Sequence, residues 1–225
     1  MKKIFTLIAV AAMALSTYAQ GTYALKDTDT DAIKAGTQIK SVDNITMTYG
    51  VEGSADFKAP SGKPDAKLEA ILGATAYTEG NGVNGNKDNG TIYLFEPAQD
   101  GVLTVGAVIN GGKNILVKKD FYTGEDVSYK IYDNDGTTEV EVTDGQVSDK
   151  VYGLIVLDVK AGTKYSISLS GSKMGFYGFK FELSTNINTV KAAAEDGVVY
   201  NLAGQKVDAA FKGIVIKNGK KVVIK

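Results

Sequence analysis

Short runs of β-forming residues follow one another along this chain about every ten residues, each closed by Gly, Asn, Asp or Pro. That rhythm restricts the fold more than any other feature. The run 45–49 alternates apolar with polar residues. The run 91–95 lies between Asp88-Asn89-Gly90 and Pro97, and 102–109 between Asp100-Gly101 and Asn110-Gly111-Gly112. Next come 115–117 and 127–131, the second stopped at Asp133-Asn134-Asp135-Gly136, and then 139–142, which alternates strictly up to Asp144-Gly145. The run 152–159 is nearly all apolar, as in a strand buried on both faces. The run 165–169 sets three apolar side chains on one face and Ser166 and Ser168 on the other. In 177–181, period two turns Tyr177, Phe179 and Phe181 inward and Lys180 outward. Nine such runs predict an all-β, antiparallel β-sandwich with jelly-roll-like character. One stretch reads as a short helix: 64–72 has Pro64 near its start, Leu68, Ile71 and Leu72 at helical spacing, and Gly73 as a stop. Strands that seldom alternate with helices argue against a parallel α/β sheet.

The two ends follow other rules. Lys2 and Lys3 precede an apolar run over 4–15, and Thr17 and Ala19 offer small residues for cleavage before Gln20. Residues 1–19 therefore read as a secretory signal peptide. A twelve-residue helix spans about 18 Å, short of a hydrocarbon core of about 30 Å, so an anchor does not fit, and no later stretch is apolar enough to cross. Cleavage leaves 206 residues. They divide by composition into a body, 20–184, a polar linker, 185–195, and a tail, 196–225. Residues 20–190 carry 16 Lys against 23 Asp and Glu, a net −7, whereas 191–225 carry 7 Lys against 3 acids, a net +4. The change of sign marks a change of role.

Missing residue types remove whole chemistries. The chain has no His and no Cys, and all 25 of its basic residues are lysine. There can be no Ser-His-Asp triad, imidazole zinc site, thiol nucleophile or guanidinium clamp. Without cysteine there is also no disulfide and no thiol to carry a lipid, so the core alone must hold the fold. An acidic body without arginine predicts no nucleic-acid partner.

In the tail, Tyr200-Asn201-Leu202-Ala203-Gly204-Gln205-Lys206-Val207 is followed by Lys212-Gly213-Ile214-Val215-Ile216-Lys217-Asn218-Gly219-Lys220-Lys221-Val222. Asn218-Gly219 is a strong hairpin signal. The pattern resembles the C-terminal sorting region of Bacteroidota proteins that leave the cell by type IX secretion. In the body, the stretches 41–50, 78–85, 161–165 and 171–179 resemble an accessory domain attached to pectate-lyase-like and other polysaccharide-degrading proteins of gut Bacteroidota. The first resemblance implies a partner in the secretion and sorting machinery. The second implies a carbohydrate-binding sandwich with no catalytic residues to carry over.

Sugar binding on a sandwich needs aromatic faces and polar side chains that meet hydroxyls. Trp is absent, but Tyr numbers twelve. Period two places Tyr132 and Phe176 on the face away from the core, and Tyr122 falls in a loop, so these three are the candidate platforms. The loop 79–90 is rich in short polar residues and glycine, and its Asn84, Asn86 and Asp88 could bind hydroxyls or a hard cation. A turn held by side-chain-to-backbone hydrogen bonds is the alternative. Asp27-Thr28-Asp29-Thr30-Asp31 opens like a calcium loop, but Ala32 stands where that motif needs Gly and Gln38 where it needs Glu, so a solvated acidic run fits better. No cofactor is expected, and a structural calcium ion has no support.

The expectation is a secreted or surface-associated, non-catalytic β-sandwich that binds plant or host polysaccharide and has no integral membrane segment once the signal is removed. It would lie outside the cell or on its outer surface, with the periplasm as the alternative. The competing readings are a structural or adhesive surface protein whose partner is another protein, and a carboxylate glycosidase or polysaccharide lyase.

Overall fold

Alternation separates a strand's two faces, and in the computed structural model those faces build one core between two sheets. Described are residues 20–52, 54–61, 66–80, 91–122, 124–184, 199–201, 206–207, 212–217 and 220–224. The expected signal peptide and the linker lie outside them. The chain divides into two compact units, 1–184 and 185–225.

The first unit opens with β1 (Gln20–Ala24), β2 (Gln38–Val42), β3 (Ile45–Tyr49) and helix α1 (Ala66–Leu72). Strands β4 (Ile92–Pro97), β5 (Gly101–Ile109), β6 (Ile115–Lys119) and β7 (Lys130–Tyr132) follow, then β8 (Val151–Val159), β9 (Tyr165–Leu169) and β10 (Gly175–Leu183). They form two five-stranded sheets, ordered β1-β10-β5-β8-β7 and β2-β3-β4-β9-β6, with antiparallel pairs throughout. The successive pairs β4/β5, β8/β9 and β9/β10 each step from one sheet to the other. The body is an all-β, antiparallel β-sandwich with open sheets.

Leu103, Val105, Ala107 and Ile109 of β5 and Ile155, Leu157 and Val159 of β8 face Met47, Tyr93, Phe95 and Ile167 of the opposite sheet in one buried cluster. Ser166 and Ser168, on the other face of β9, are buried too. Phenols in this core need partners. Tyr93 donates to the Met174 carbonyl at 2.6 Å, and Tyr165 accepts from the Lys160 amide at 2.9 Å.

Helix α1 lies on the outer face of the first sheet. Its Leu68 and Leu72 share a second buried cluster with Val108, Leu154 and Tyr177. Gly106 makes the close approach possible, because a Cβ there would meet Leu72 Cδ1 at 2.3 Å. Among the described residues no helix is long and apolar enough to cross a membrane.

Three features depart from the sequence reading. First, β10 carries a bulge: Phe176 pairs with Ala107 and Gly178 with Gly106, leaving Tyr177 as the extra residue. Gly178, at φ 141, lets the bulged strand lie against β1, where a Cβ would stand 2.2 Å from the Tyr23 carbonyl oxygen. The bulge turns Tyr177 outward beneath α1 and Phe176 inward. Second, 139–142 forms no strand. An isolated bridge from Tyr132 to Glu139, the Val140 amide to the Ile131 carbonyl (2.8 Å) and the ion pair of Lys130 with Glu139 (2.8 Å) tie it to β7, while Val140 and Val142 pack against the core. Third, β1 and β2 are strands that no sequence run announced.

In the second unit, β11 (Val199–Asn201), β12 (Lys206–Val207), β13 (Gly213–Lys217) and β14 (Lys220–Ile224) form a four-stranded antiparallel sheet ordered β12-β11-β13-β14. Lys217 pairs with Lys220, the register expected of a two-residue hairpin loop. Asn218 and Gly219 themselves lie outside the described residues.

Candidate functional site

An open cleft of about 740 Å³ lies where the chain leaves β1. Its position follows from how that segment is held. Leu25 is buried; its amide donates to the Tyr177 carbonyl at 2.9 Å, and its carbonyl accepts from Thr75 and Ala76 at 2.9 and 3.3 Å. The next residues turn back on themselves: the Lys26 amide donates to Asp29 Oδ2 (2.9 Å) and the Asp29 amide to the Lys26 carbonyl (3.0 Å). Asp27 is fixed to Thr75, its amide donating to Oγ1 at 2.9 Å and its Oδ1 accepting from that hydroxyl at 3.0 Å. The Lys26 ammonium reaches the Gly73 carbonyl at the end of α1. Ile33 then pairs with Phe57 through two backbone hydrogen bonds of 3.1 and 2.8 Å.

These anchors give the cleft an apolar floor and a polar rim. Leu25, Ile33, Leu72 and the half-buried Tyr23 form the one; Thr28, Asp29, Thr30 and Asp31, all exposed, form the other. The Tyr23 ring packs on Phe179 with centroids 6.0 Å apart. Burial raises the Tyr23 phenol above its ordinary value; the neighbouring Tyr49 phenol pulls it down, and the Asp29 carboxylate raises it. Behind it, burial pushes the Tyr49 phenol well above its ordinary value. Both phenols stay neutral at physiological pH. The cleft therefore offers carboxylate and hydroxyl acceptors, hydroxyl donors and a tyrosine edge above an apolar floor. That set suits a neutral, hydroxyl-rich ligand.

Among the described residues no group of three carboxylates comes together as metal ligands would, and within the run 27–31 Asp27 is tied to Thr75.

The platforms expected from sequence do not form one surface. Tyr132 is on the outer face of the first sheet, as expected, half-buried against the cluster beneath α1. Phe176 is not a platform. The bulge places it inside the core at 0 % exposure, stacked on Tyr93 with centroids 4.7 Å apart and planes 21° apart. The two rings thus lie on opposite faces of one sheet. Tyr122 ends a 3-10 turn (Asp120–Tyr122) in which Asp120 and Phe121 take positive φ values of 47° and 50°, and its side chain lies outside the described residues. Asn84, Asn86 and Asp88 lie outside them as well.

The sequence reading missed the cleft, although Asp and Thr alternating over 27–31 were its visible sign. Compared with known proteins, the chain matches no family model and no curated sequence.

Proposed function

We propose that the protein is an exported β-sandwich that binds carbohydrate in the cleft beside β1 without chemically altering it. The observation that carries this reading is the cleft's lining, in which Tyr23 and an apolar floor meet the hydroxyls of Thr28 and Thr30 and the carboxylates of Asp29 and Asp31. A sugar presents the same alternation of C–H faces and hydroxyl edges.

The test is a plant and host glycan array probed with residues 20–225, followed by titration of any hit against Thr30→Ala and Asp31→Ala. Both side chains are exposed, so the fold should survive, and each loss should weaken binding about three- to tenfold, or about 1 kcal/mol. Clean blanks at millimolar glycan, or binding indifferent to both substitutions, would remove the cleft from consideration.

Export is proposed from residues 1–19, and a destination beyond the periplasm from the basic tail. Deleting 195–225 should shift the protein from the cell surface or medium into the periplasm. An unchanged distribution would leave the tail without an addressing role.

A further inference from the structure

Away from the cleft, the outer face of the first sheet carries a second polar surface. At the margin of the cluster beneath α1, to which Val108 belongs, one row crosses three strands: Tyr152 of β8 pairs with Val108 of β5, which pairs with Gly175 of β10. Tyr152 is 38 % exposed. At the β10 end Gly175 has no side chain, and the ring of Tyr77 takes the space. A Cβ at Gly175 would lie 3.1 Å from Tyr77 Cδ2, and that ring stands edge-on to Tyr177 with centroids 5.2 Å apart. Two strand spacings of about 4.8 Å set the two ring positions on the order of 10 Å apart along a straight row.

Three ammonium groups border these rings. Lys150 Nζ lies over Tyr152, 4.9 Å from its centroid. Lys58 Nζ meets Glu79 Oε1 at 2.6 Å, and Lys173 Nζ stands 3.9 Å from the same oxygen. Lys58 and Lys173 thus share one carboxylate, and Lys150, held mainly by Tyr152, also feels Tyr77 and, last, Glu79. In a body where acids outnumber lysines 23 to 16, a surface on which Lys58 and Lys173 share Glu79 and Lys150 stands over Tyr152 reverses the general sign. Glu79 holds Lys58, and Tyr152 holds Lys150, above the ordinary lysine value, which keeps both charged through neutral pH.

We propose that this Tyr77–Tyr152 row, bordered by Lys58, Lys150 and Lys173, is a second binding site, for a glycan segment that bears carboxylate or sulfate groups. The excess of ammonium groups recognises the anions. The two tyrosine positions, spaced along one row, fit a chain of sugar rings better than an acidic peptide, which presents charge without regularly spaced ring faces. Flexible lysine stems follow scattered anionic groups without demanding one geometry. The site shares no residue with the lining of the cleft.

Titration calorimetry of residues 20–225 with three hexasaccharides, one of galacturonic acid, one sulfated and one neutral, tests the proposal. At least one anionic hexasaccharide should bind, more weakly as salt rises, and the two anionic arms show whether carboxylate or sulfate is preferred. Lys150→Ala with Lys173→Ala should weaken that binding at least about tenfold, Tyr152→Ala should also weaken it, and Asp31→Ala in the cleft should leave it unchanged. Amide shifts in the unsubstituted protein should concentrate at 150–152, 173–175 and 77–79, a readout that needs no variant to fold. Failure of both anionic hexasaccharides to bind overturns the proposal, as do shifts located elsewhere. Hexaglutamate competing equally while Tyr152→Ala changes nothing would also overturn it, by reducing the surface to a patch of charge.

Discussion

At the scale of single residues, Phe176 and Tyr132 separate core from surface. Phe176 stacks on Tyr93 and stands edge-on to Tyr49, with centroids 5.3 Å apart, while Phe57 closes the group against Tyr49 at 5.0 Å. Removing a ring from a closed aromatic group leaves a cavity its neighbours cannot fill. Phe176→Ala should cost about 3–5 kcal/mol in urea unfolding. Tyr132 is half-buried at an edge strand, so Tyr132→Ala should cost only about 1 kcal/mol. If the two costs proved equal, the bulge would lie elsewhere in β10. One extra residue decides the outcome, because period two holds only while pairing stays in register. Nothing local in Gly175-Phe176-Tyr177-Gly178-Phe179 says where the register breaks. The break becomes visible only when β5 supplies Ala107 and Gly106 as partners.

At the scale of elements, legibility follows how far a segment's demands are local. Strand β8 was readable almost to its ends because it is central: its inner face meets the opposite sheet, and Leu154 and Val156 on its outer face meet the cluster under α1. Only a continuous apolar run satisfies both. The helix was readable because Leu68 and Leu72 must share one stripe and Gly73, at φ 72, ends it. Strands β1 and β2 lie at sheet edges, and their identity comes from a partner. Five residue pairs, from Gln20↔Glu182 to Ala24↔Gly178, make β1 a strand, and no periodicity within Gln-Gly-Thr-Tyr-Ala foretells them. The reverse error occurred at 139–142. Asp135 accepts the amides of Thr137 and Thr138, both at 2.8 Å, and fixes a turn after which the chain returns along a β7 only three residues long. Alternation could place Val140 and Val142 against the core, but a ladder needs a longer partner. The cleft was hidden for a related reason. Its lining joins 22–33 to Pro60 and to the end of α1, segments whose proximity exists only in the folded chain.

At the scale of the molecule, the absence of His and Cys sets the pH dependence of stability. Asp100 accepts from Lys160 Nζ at 2.8 Å and from the Ala161 amide at 2.9 Å, contacts that hold its carboxyl below the ordinary range. Lys34 and the Ala35 amide do the same for Asp56, and the amides and hydroxyl of the 137–138 turn lower Asp135 further. A carboxyl lowered in the folded state contributes stability above its unfolded value of about 3.9, and that contribution is lost as pH falls through the folded value. At the other end, burial raises the phenols of Tyr23, Tyr49, Tyr93 and Tyr129, the second and third strongly. Partners raise Lys58, Lys130, Lys150 and Lys160: Glu79, Glu139, Tyr152 and Asp100 respectively. Groups raised in the folded state stabilise fully below their unfolded values of about 10, and that stability is lost as pH rises beyond them. Between these limits no imidazole or thiol titrates. The urea midpoint should therefore stay flat from about pH 5 to 9 and fall on both sides. The alkaline fall should be the steeper, because unfolding at high pH releases protons from fully buried phenols, while the lowered carboxylates lie at the surface and are screened. A midpoint that changed markedly between about pH 6 and 8 would mean that some other group is coupled to folding.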